Sequence, residues 1–184
     1  MGPEGAKHIA NLLTVNASVT SVDLSNNQLC GIDMFGNGTY TADGYKAIAA
    51  SIAVTASVTS VNLLRNEFDT EAASMLLKVK EQKPMLRTLC GLTHAETELN
   101  YQYNGLGPAD AMLLAPELQV MPSLTSVNLA SNFLYAKGAK ILAPAIRDSP
   151  SLTKVNLDGF DLPIKELKGT IPVSLLDFSG KRLG

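Results

Sequence analysis

ASVTSVNLLRNEF, at residues 56–68, recurs in this chain with small changes. The other copies read ASVTSVDLSNNQL at 17–29, PSLTSVNLASNFL at 122–134 and PSLTKVNLDGFDL at 150–162. From Val127 to Val155 the step is 28 residues, and from Val61 to Leu89 it is the same. A fixed internal period of this length is the sequence signature of a repeat architecture.

Each repeat combines one strand pattern with one helix pattern. The alternation of Val and Leu, as in Val61 and Leu63, predicts a short strand with every second side chain turned inward. The helix pattern places small and aliphatic residues on one face, and the small residues let neighbouring helices approach closely. It occurs as GAKHIANLL (5–13), GYKAIAASI (44–52) and GAKILAPAI (138–146). The predicted fold class is therefore α/β.

These repeats resemble the ribonuclease-inhibitor-like class of leucine-rich-repeat proteins, whose units combine a strand and a helix. The resemblance covers residues 2–162 and a final strand. It implies a solenoid in the form of a horseshoe arc, with parallel strands on the concave face and helices on the convex face. The class includes ribonuclease inhibitors and GTPase-activating proteins for the Ran GTPase. It therefore implies binding to another protein through the concave face.

We expect one leucine-rich-repeat domain over residues 1–184, with about six to seven strand units. Two stretches depart from the period. The segment 30–43 lengthens the step between the first two strands, and 86–107 holds two strand-like pieces with no room for a helix between them. The chain also reads as a fragment of a longer array, because neither end has a capping repeat.

Composition argues against several functional classes. The net charge is −2, and no Lys/Arg cluster alternates with aromatic residues, so we expect no nucleic-acid partner. No apolar run is long enough to span a membrane. Charged residues begin at Glu4, so no signal peptide is predicted. Cys30 and Cys90 are too few for a disulfide framework, and the expected location is cytoplasmic.

We predict that the protein is not an enzyme and has no catalytic, cofactor-binding or metal-binding residues. His8 is expected on a helix surface and His94 in a solvated loop. His94 has Glu96 and Glu98 nearby but no third metal ligand at a usable spacing. Cys90 occupies a strand position and is expected to be a buried or half-buried thiol with no base to activate it.

The predicted function is a non-enzymatic protein–protein interaction module that uses the concave face and adjacent loops. Trp, Tyr and Arg anchor most protein interfaces, and strand-end Asn residues project from the same face. The candidate partner-binding residues are Arg65, Arg87, Tyr103, Asn62, Asn100 and Asn128. Four alternatives stay open: a solvated polar face with no tight partner, a self-associating segment of a longer array, a regulator of a GTPase, and an extracellular sensor. A homodimer through uncapped solenoid ends, closed by two-fold symmetry, is a further expectation.

Four structural expectations follow from the repeat. The segment 30–43 should be an exposed excursion. The Asn that follows each strand should be buried and bonded to backbone, at Asn27, Asn66, Asn104 and Asn132. Phe160 takes that position in the last full unit, so the stack should loosen or end there. A final strand is expected at 173–178, with one edge open for pairing.

Overall fold

A computed structural model describes residues 1–157, 159–172 and 174–175. The chain forms two compact units, one over Met1–Thr93 and the other over His94–Gly184. The boundary falls inside the irregular stretch 86–107 that the sequence singles out. Each unit is a mixed α/β arrangement of short strands and longer helices. The single domain expected from the sequence stays a prediction.

The first unit contains three helices and two short strands. In chain order these are α1 (Pro3–Val15), β1 (Ser21–Asp23), α2 (Asp43–Val54), β2 (Ser60–Asn62) and α3 (Thr70–Gln82). Helix α1 packs against α2, burying Ala6, Ala10 and Leu13, the apolar face that the sequence predicts. The Asp69 side chain caps α3 by accepting a 2.7 Å bond from the Ala72 N–H.

Strands β1 and β2 are parallel, with Val22 opposite Val61. The ladder continues past β2 through isolated bridges from Ser60 to Thr88 and from Asn62 to Cys90. The structure describes all of residues 87–97, and no helix lies between the bridged residues Thr88 and Cys90 and the strand that begins at residue 98. The prediction of an abbreviated, helix-less connection in 86–107 is therefore confirmed.

The segment 30–43 is an exposed excursion, as predicted. Beyond Cys30 none of its residues is buried, and the Phe35 side chain is 81% exposed. A single antiparallel bridge joins Ile32 to Gly38. Gly38 has a φ of 113°, a conformation that glycine adopts without strain. The excursion does not disturb the parallel pairing of β1 with β2.

The second unit repeats the same alternation. Its elements are β3 (Glu98–Asn100), α4 (Pro108–Gln119), β4 (Ser126–Leu129), α5 (Tyr135–Asp148), β5 (Lys154–Leu157), β6 (Phe160–Leu162) and α6 (Ile164–Leu167). Strands β3, β4 and β5 are parallel neighbours in sequence order. Val127 lies opposite Leu99 on one side and Val155 on the other, so the 28-residue period sets the register.

The parallel array of this unit ends at β5, because β6 runs antiparallel beside it and places Phe160 opposite Leu157. The sequence treats 150–162 as one more regular unit, and that interpretation is wrong after Leu157. Among the described residues the parallel stack ends beside Phe160, as expected. The predicted strand at 173–178 lies outside the described residues, apart from Ser174 and Leu175, which are not in a strand.

The Asn ladder is confirmed in its bonding and only partly in its burial. All four Asn side chains donate to backbone carbonyls. Asn66 is fully buried, and its Nδ2 donates to the carbonyls of Leu24 and Leu63 at 2.9 Å each. Asn27, Asn104 and Asn132 are half-buried instead. An Asn at this position satisfies carbonyls that no sheet ladder reaches.

Candidate functional site

One face of the second unit's sheet carries two rows of polar side chains. The burial pattern of β4 alternates, so Val127 and Leu129 face the core while the residues between them face outward. The register aligns the outward residues across three strands. The rows are Glu98, Ser126 and Lys154, and then Asn100, Asn128 and Asn156. With Asp161 they line an open cleft of about 280 Å³.

The Asn residues of this face hold the strand ends in shape. Asn100 Oδ1 accepts a 3.1 Å bond from the Gln102 N–H, and Asn128 Oδ1 accepts one of the same length from the Ala130 N–H. These are Asx turns, in which a side chain replaces a backbone turn bond. Asn100 and Asn128, two of the candidate partner-binding residues, therefore lie on the outward side of this sheet, and their oxygens are engaged with backbone.

Two residues of this face were missed in the sequence. Gln102 Oε1 accepts a 3.4 Å bond from Asn128 Nδ2. Asp161 Oδ1 accepts a 2.8 Å bond from Asn156 Nδ2 and brings a carboxylate to the cleft beside Lys154. The repeat does not predict Asp161 on this face, because it does not predict the antiparallel strand β6 that carries this residue.

Tyr103, a third candidate, follows β3 and is exposed. Its side chain is 76% accessible, and its backbone has a φ of 57°. The Tyr103 N–H donates to the Ala130 carbonyl at 3.2 Å, so the backbone is held although the ring is free to make contacts. A large, amphipathic ring on a fixed backbone is a typical interface anchor.

The remaining candidates, Arg65, Arg87 and Asn62, lie in the first unit. Arg87 is exposed, and its N–H donates to the Thr59 carbonyl at 2.8 Å. Arg65 is half-buried, with a φ of 64° just after β2. Asn62 Nδ2 donates to Asp23 Oδ2 at 3.4 Å, and its Oδ1 closes an Asx turn with the Leu64 N–H at 3.3 Å. This unit thus repeats the turn chemistry found at Asn100 and Asn128.

The excursion 30–43 is anchored at its ends despite its exposed middle. The hydroxyl of Tyr40 interacts with Asp69, the cap of α3. Partial desolvation of the hydroxyl, together with the nearby Asp69, raises the pKa of Tyr40 far above its usual range. Burial also raises the pKa of the Cys30 thiol to about 11. The excursion 30–43 is therefore tied to a helix terminus of its own unit.

His94 lies elsewhere than the sequence suggests. Its Nε2 contacts Glu117 Oε2, and that carboxyl group is fully buried in α4. The expectation of a solvated loop is wrong, because the connection folds back onto α4. A buried carboxyl group needs such a partner, since burial without one is costly. Cys90, as expected, is buried.

Within residues 1–157, 159–172 and 174–175, no three His, Cys, Asp or Glu side chains are grouped as a metal site requires. Among the described helices, none combines the length and the hydrophobicity needed to cross a membrane.

No family model matches this chain, and no curated protein matches it significantly. Among solved structures, the chain is similar to the tropomodulin C-terminal domain of Caenorhabditis elegans. The match has 16% sequence identity and a TM-score of 0.44, and it covers 91% of this chain and 89% of that domain. A likeness this distant assigns neither a family nor a function.

Proposed function

We propose that the chain is a leucine-rich-repeat protein of the ribonuclease-inhibitor-like kind and acts as a non-enzymatic protein-binding module. The observation that supports this most is the pair of polar rows on the second unit's sheet. Asx turns and ladder bonds hold the backbone beneath these rows, so their side chains are presented in a fixed arrangement. A preorganised surface binds with a smaller loss of conformational entropy.

The chemistry of the cleft indicates what kind of partner segment it would take. Glu98 and Lys154 lie two strands apart, about 10 Å, with Ser126 between them. In the part of the chain that the structure describes, their side chains form no ion pair with each other. Both charges are exposed, so each can pair with an opposite charge on a partner. The partner would carry a basic group near Glu98 or Asp161 and an acidic group near Lys154, beside a contact with Tyr103.

A site-directed binding experiment tests the proposal. Lys154→Glu combined with Tyr103→Ala changes the second unit's face, and Arg65→Ala combined with Arg87→Ala changes the first unit. The matched control is Lys78→Glu, a charge reversal on an exposed position of α3. We expect the first pair to weaken partner binding at least tenfold, which corresponds to about 1.4 kcal/mol.

The readout is affinity for a partner that is captured on the full chain and then purified. Unchanged binding by both double variants, measured by calorimetry, would contradict the proposed face. Equal weakening by Lys78→Glu would show a general charge effect instead of a site.

A further inference from the structure

The repeat allows two equivalent helices to be compared: α1, which another helix covers on one side, and α5, which is incompletely covered on the same side. The segment 5–13 in α1 aligns with 138–146 in α5. On α1 the residues covered by α2 are Ala6, Ala10 and Leu13, all buried. Their counterparts on α5 are Ala139, Ala143 and Ile146. Ala143 is exposed and Ala139 only half-buried, so this side of α5 is incompletely covered.

An apolar cleft of about 150 Å³ lies on that side of α5. Its lining includes the three α5 residues together with Leu162, Ile164 and Leu167. Where the first unit has the twelve-residue α2, the second has the four-residue α6. The short helix leaves apolar surface that a full helix covers in the first unit. A cavity of this size can hold one apolar group about as large as benzene.

Helix α1 carries an exposed apolar side chain, Leu12, at a repeat position that is buried in α2, α4 and α5. The positions equivalent to Leu12 are Ser51 in α2, Glu117 in α4 and Ala145 in α5. These three residues are at most 2% exposed, whereas Leu12 is 62% exposed. Leu12 is thus a large apolar residue on the helix side that is buried in α2, α4 and α5.

Charged residues flank both surfaces in matching positions. In the first unit, Lys7 of α1 forms a 3.0 Å ion pair with Asp43 at the start of α2. The repeat places Lys140 of α5 at the position of Lys7, and Lys140 is exposed. It also places Glu4 of α1 at the position of Asp43. A helix α1 laid against α5 in the way α2 lies against α1 would bring Glu4 to Lys140.

We propose that α1 of a second copy of this chain docks on the uncovered side of α5. Leu12 of that copy enters the apolar cleft, and Glu4 pairs with Lys140. The contact joins two different surfaces and is head-to-tail, unlike the closed dimer that the sequence favours. It goes beyond the proposed function, because it leaves the polar sheet faces open for another partner.

Light scattering on the full chain across a range of concentrations tests the contact. We expect the mean mass to rise above the monomer value of 19.5 kDa as concentration increases. Leu12→Asp should weaken association at least tenfold and leave the far-UV circular dichroism unchanged, since the residue is exposed. The matched control is Val54→Asp on α2, where an apolar side chain is 72% exposed away from the contact; it should associate like the original.

A charge exchange tests the register. Glu4→Lys alone and Lys140→Glu alone should each weaken association several-fold, and the two together should restore it. A chain that stays monomeric at every concentration overturns the proposal. A double variant as weak as the single variants also overturns it. Lys154→Glu, which tests the polar face, should leave the mass unchanged, so failure of one proposal is distinct from failure of the other.

Discussion

The side-chain oxygen of Asn132 accepts a 3.1 Å hydrogen bond from the backbone N–H of Asn104, its counterpart 28 residues earlier. The same oxygen accepts a 3.0 Å bond from the Leu106 N–H. Its Nδ2 donates to the Tyr101 carbonyl at 2.9 Å and to the Leu129 carbonyl at 2.8 Å. One amide therefore joins the turns of two consecutive repeats, in a place where no sheet ladder satisfies the backbone.

Asn132→Ala should lower the free energy of unfolding by roughly 1–3 kcal/mol, because it leaves several backbone groups without partners. The matched control is Asn104→Ala, whose side chain donates a 2.9 Å bond to Gln102 within its own turn. We expect a loss below about 1 kcal/mol there. Urea titration measures both variants. A loss of about 0.5 kcal/mol or less for Asn132→Ala would show that the ladder contributes little.

The glycine at the start of the repeated helical segment is under different constraints in α1 and α2. A Cβ added to Gly44 would lie 2.1 Å from the Leu29 carbonyl oxygen, which is backbone and cannot move alone. Gly44→Ala should therefore destabilise the chain by about 1–3 kcal/mol. A Cβ on the equivalent Gly5 would meet only the Met1 side chain, which is exposed and can turn away. Gly5→Ala should be neutral or stabilising by up to about 1 kcal/mol.

Thermal unfolding of the two glycine variants distinguishes this account from a general helix effect. Intrinsic propensity favours Ala at both positions, so only the close approach to Leu29 predicts opposite outcomes. Stabilisation by Gly44→Ala would show that the contact relaxes without cost.

The parallel strands could be predicted because the repeat fixes which residues share a register. The antiparallel β6 could not, since 150–162 matches the motif up to Leu162. Its signal was local: Asp158-Gly159 is a typical two-residue hairpin sequence, and Gly159 has a φ of 80°. A turn signal that agrees with the strand pattern on either side can override the repeat.

The sequence predicts which Asn side chains point outward from the sheet, but it does not predict the hydrogen bonds that they form. Alternation places Asn62, Asn100 and Asn128 outward, which the structure shows. It cannot show that their oxygens close Asx turns, because that depends on the backbone after each strand. Nor could the pairing of His94 with Glu117 be predicted, since 23 residues separate them.

The His94–Glu117 contact should stabilise the second unit. His94→Ala leaves a fully buried carboxyl group with one partner fewer, and a loss of about 1–3 kcal/mol is expected. The control is His8→Ala, because His8 is exposed on α1, and its effect should stay within about 0.5 kcal/mol. In a double-mutant cycle with Glu117→Ala, the combined loss should be smaller than the sum of the single losses. Strict additivity would show that the two side chains do not interact energetically.

Cys30 should react slowly with alkylating reagents. Burial raises the pKa of its thiol to about 11, and only the thiolate is nucleophilic. At pH 8 about 0.1% of such a thiol is ionised, compared with about a quarter of a free cysteine of pKa 8.5. Mass spectrometry of iodoacetamide-treated protein should therefore show labelling at Cys30 at least about a hundredfold slower than that of free cysteine, and slower still because the side chain is fully buried.

The pH dependence of the labelling rate shows whether the pKa of Cys30 is raised or lowered. A free thiol approaches full ionisation above about pH 9, so its labelling rate levels off there. The Cys30 rate should keep rising, by about tenfold per pH unit, until the pH approaches the raised pKa. Tyr40→Phe provides the structural control. The Tyr40 hydroxyl interacts with the Cys30 thiol and acts to lower its pKa. Removing the hydroxyl therefore cannot speed labelling by increasing the ionised fraction of the thiol. Faster labelling of Cys30 in the Tyr40→Phe variant would mean that the excursion 30–43 opens when the interaction of Tyr40 with Asp69 is removed. A labelling rate that levels off near pH 9 in the original chain would contradict the burial of Cys30.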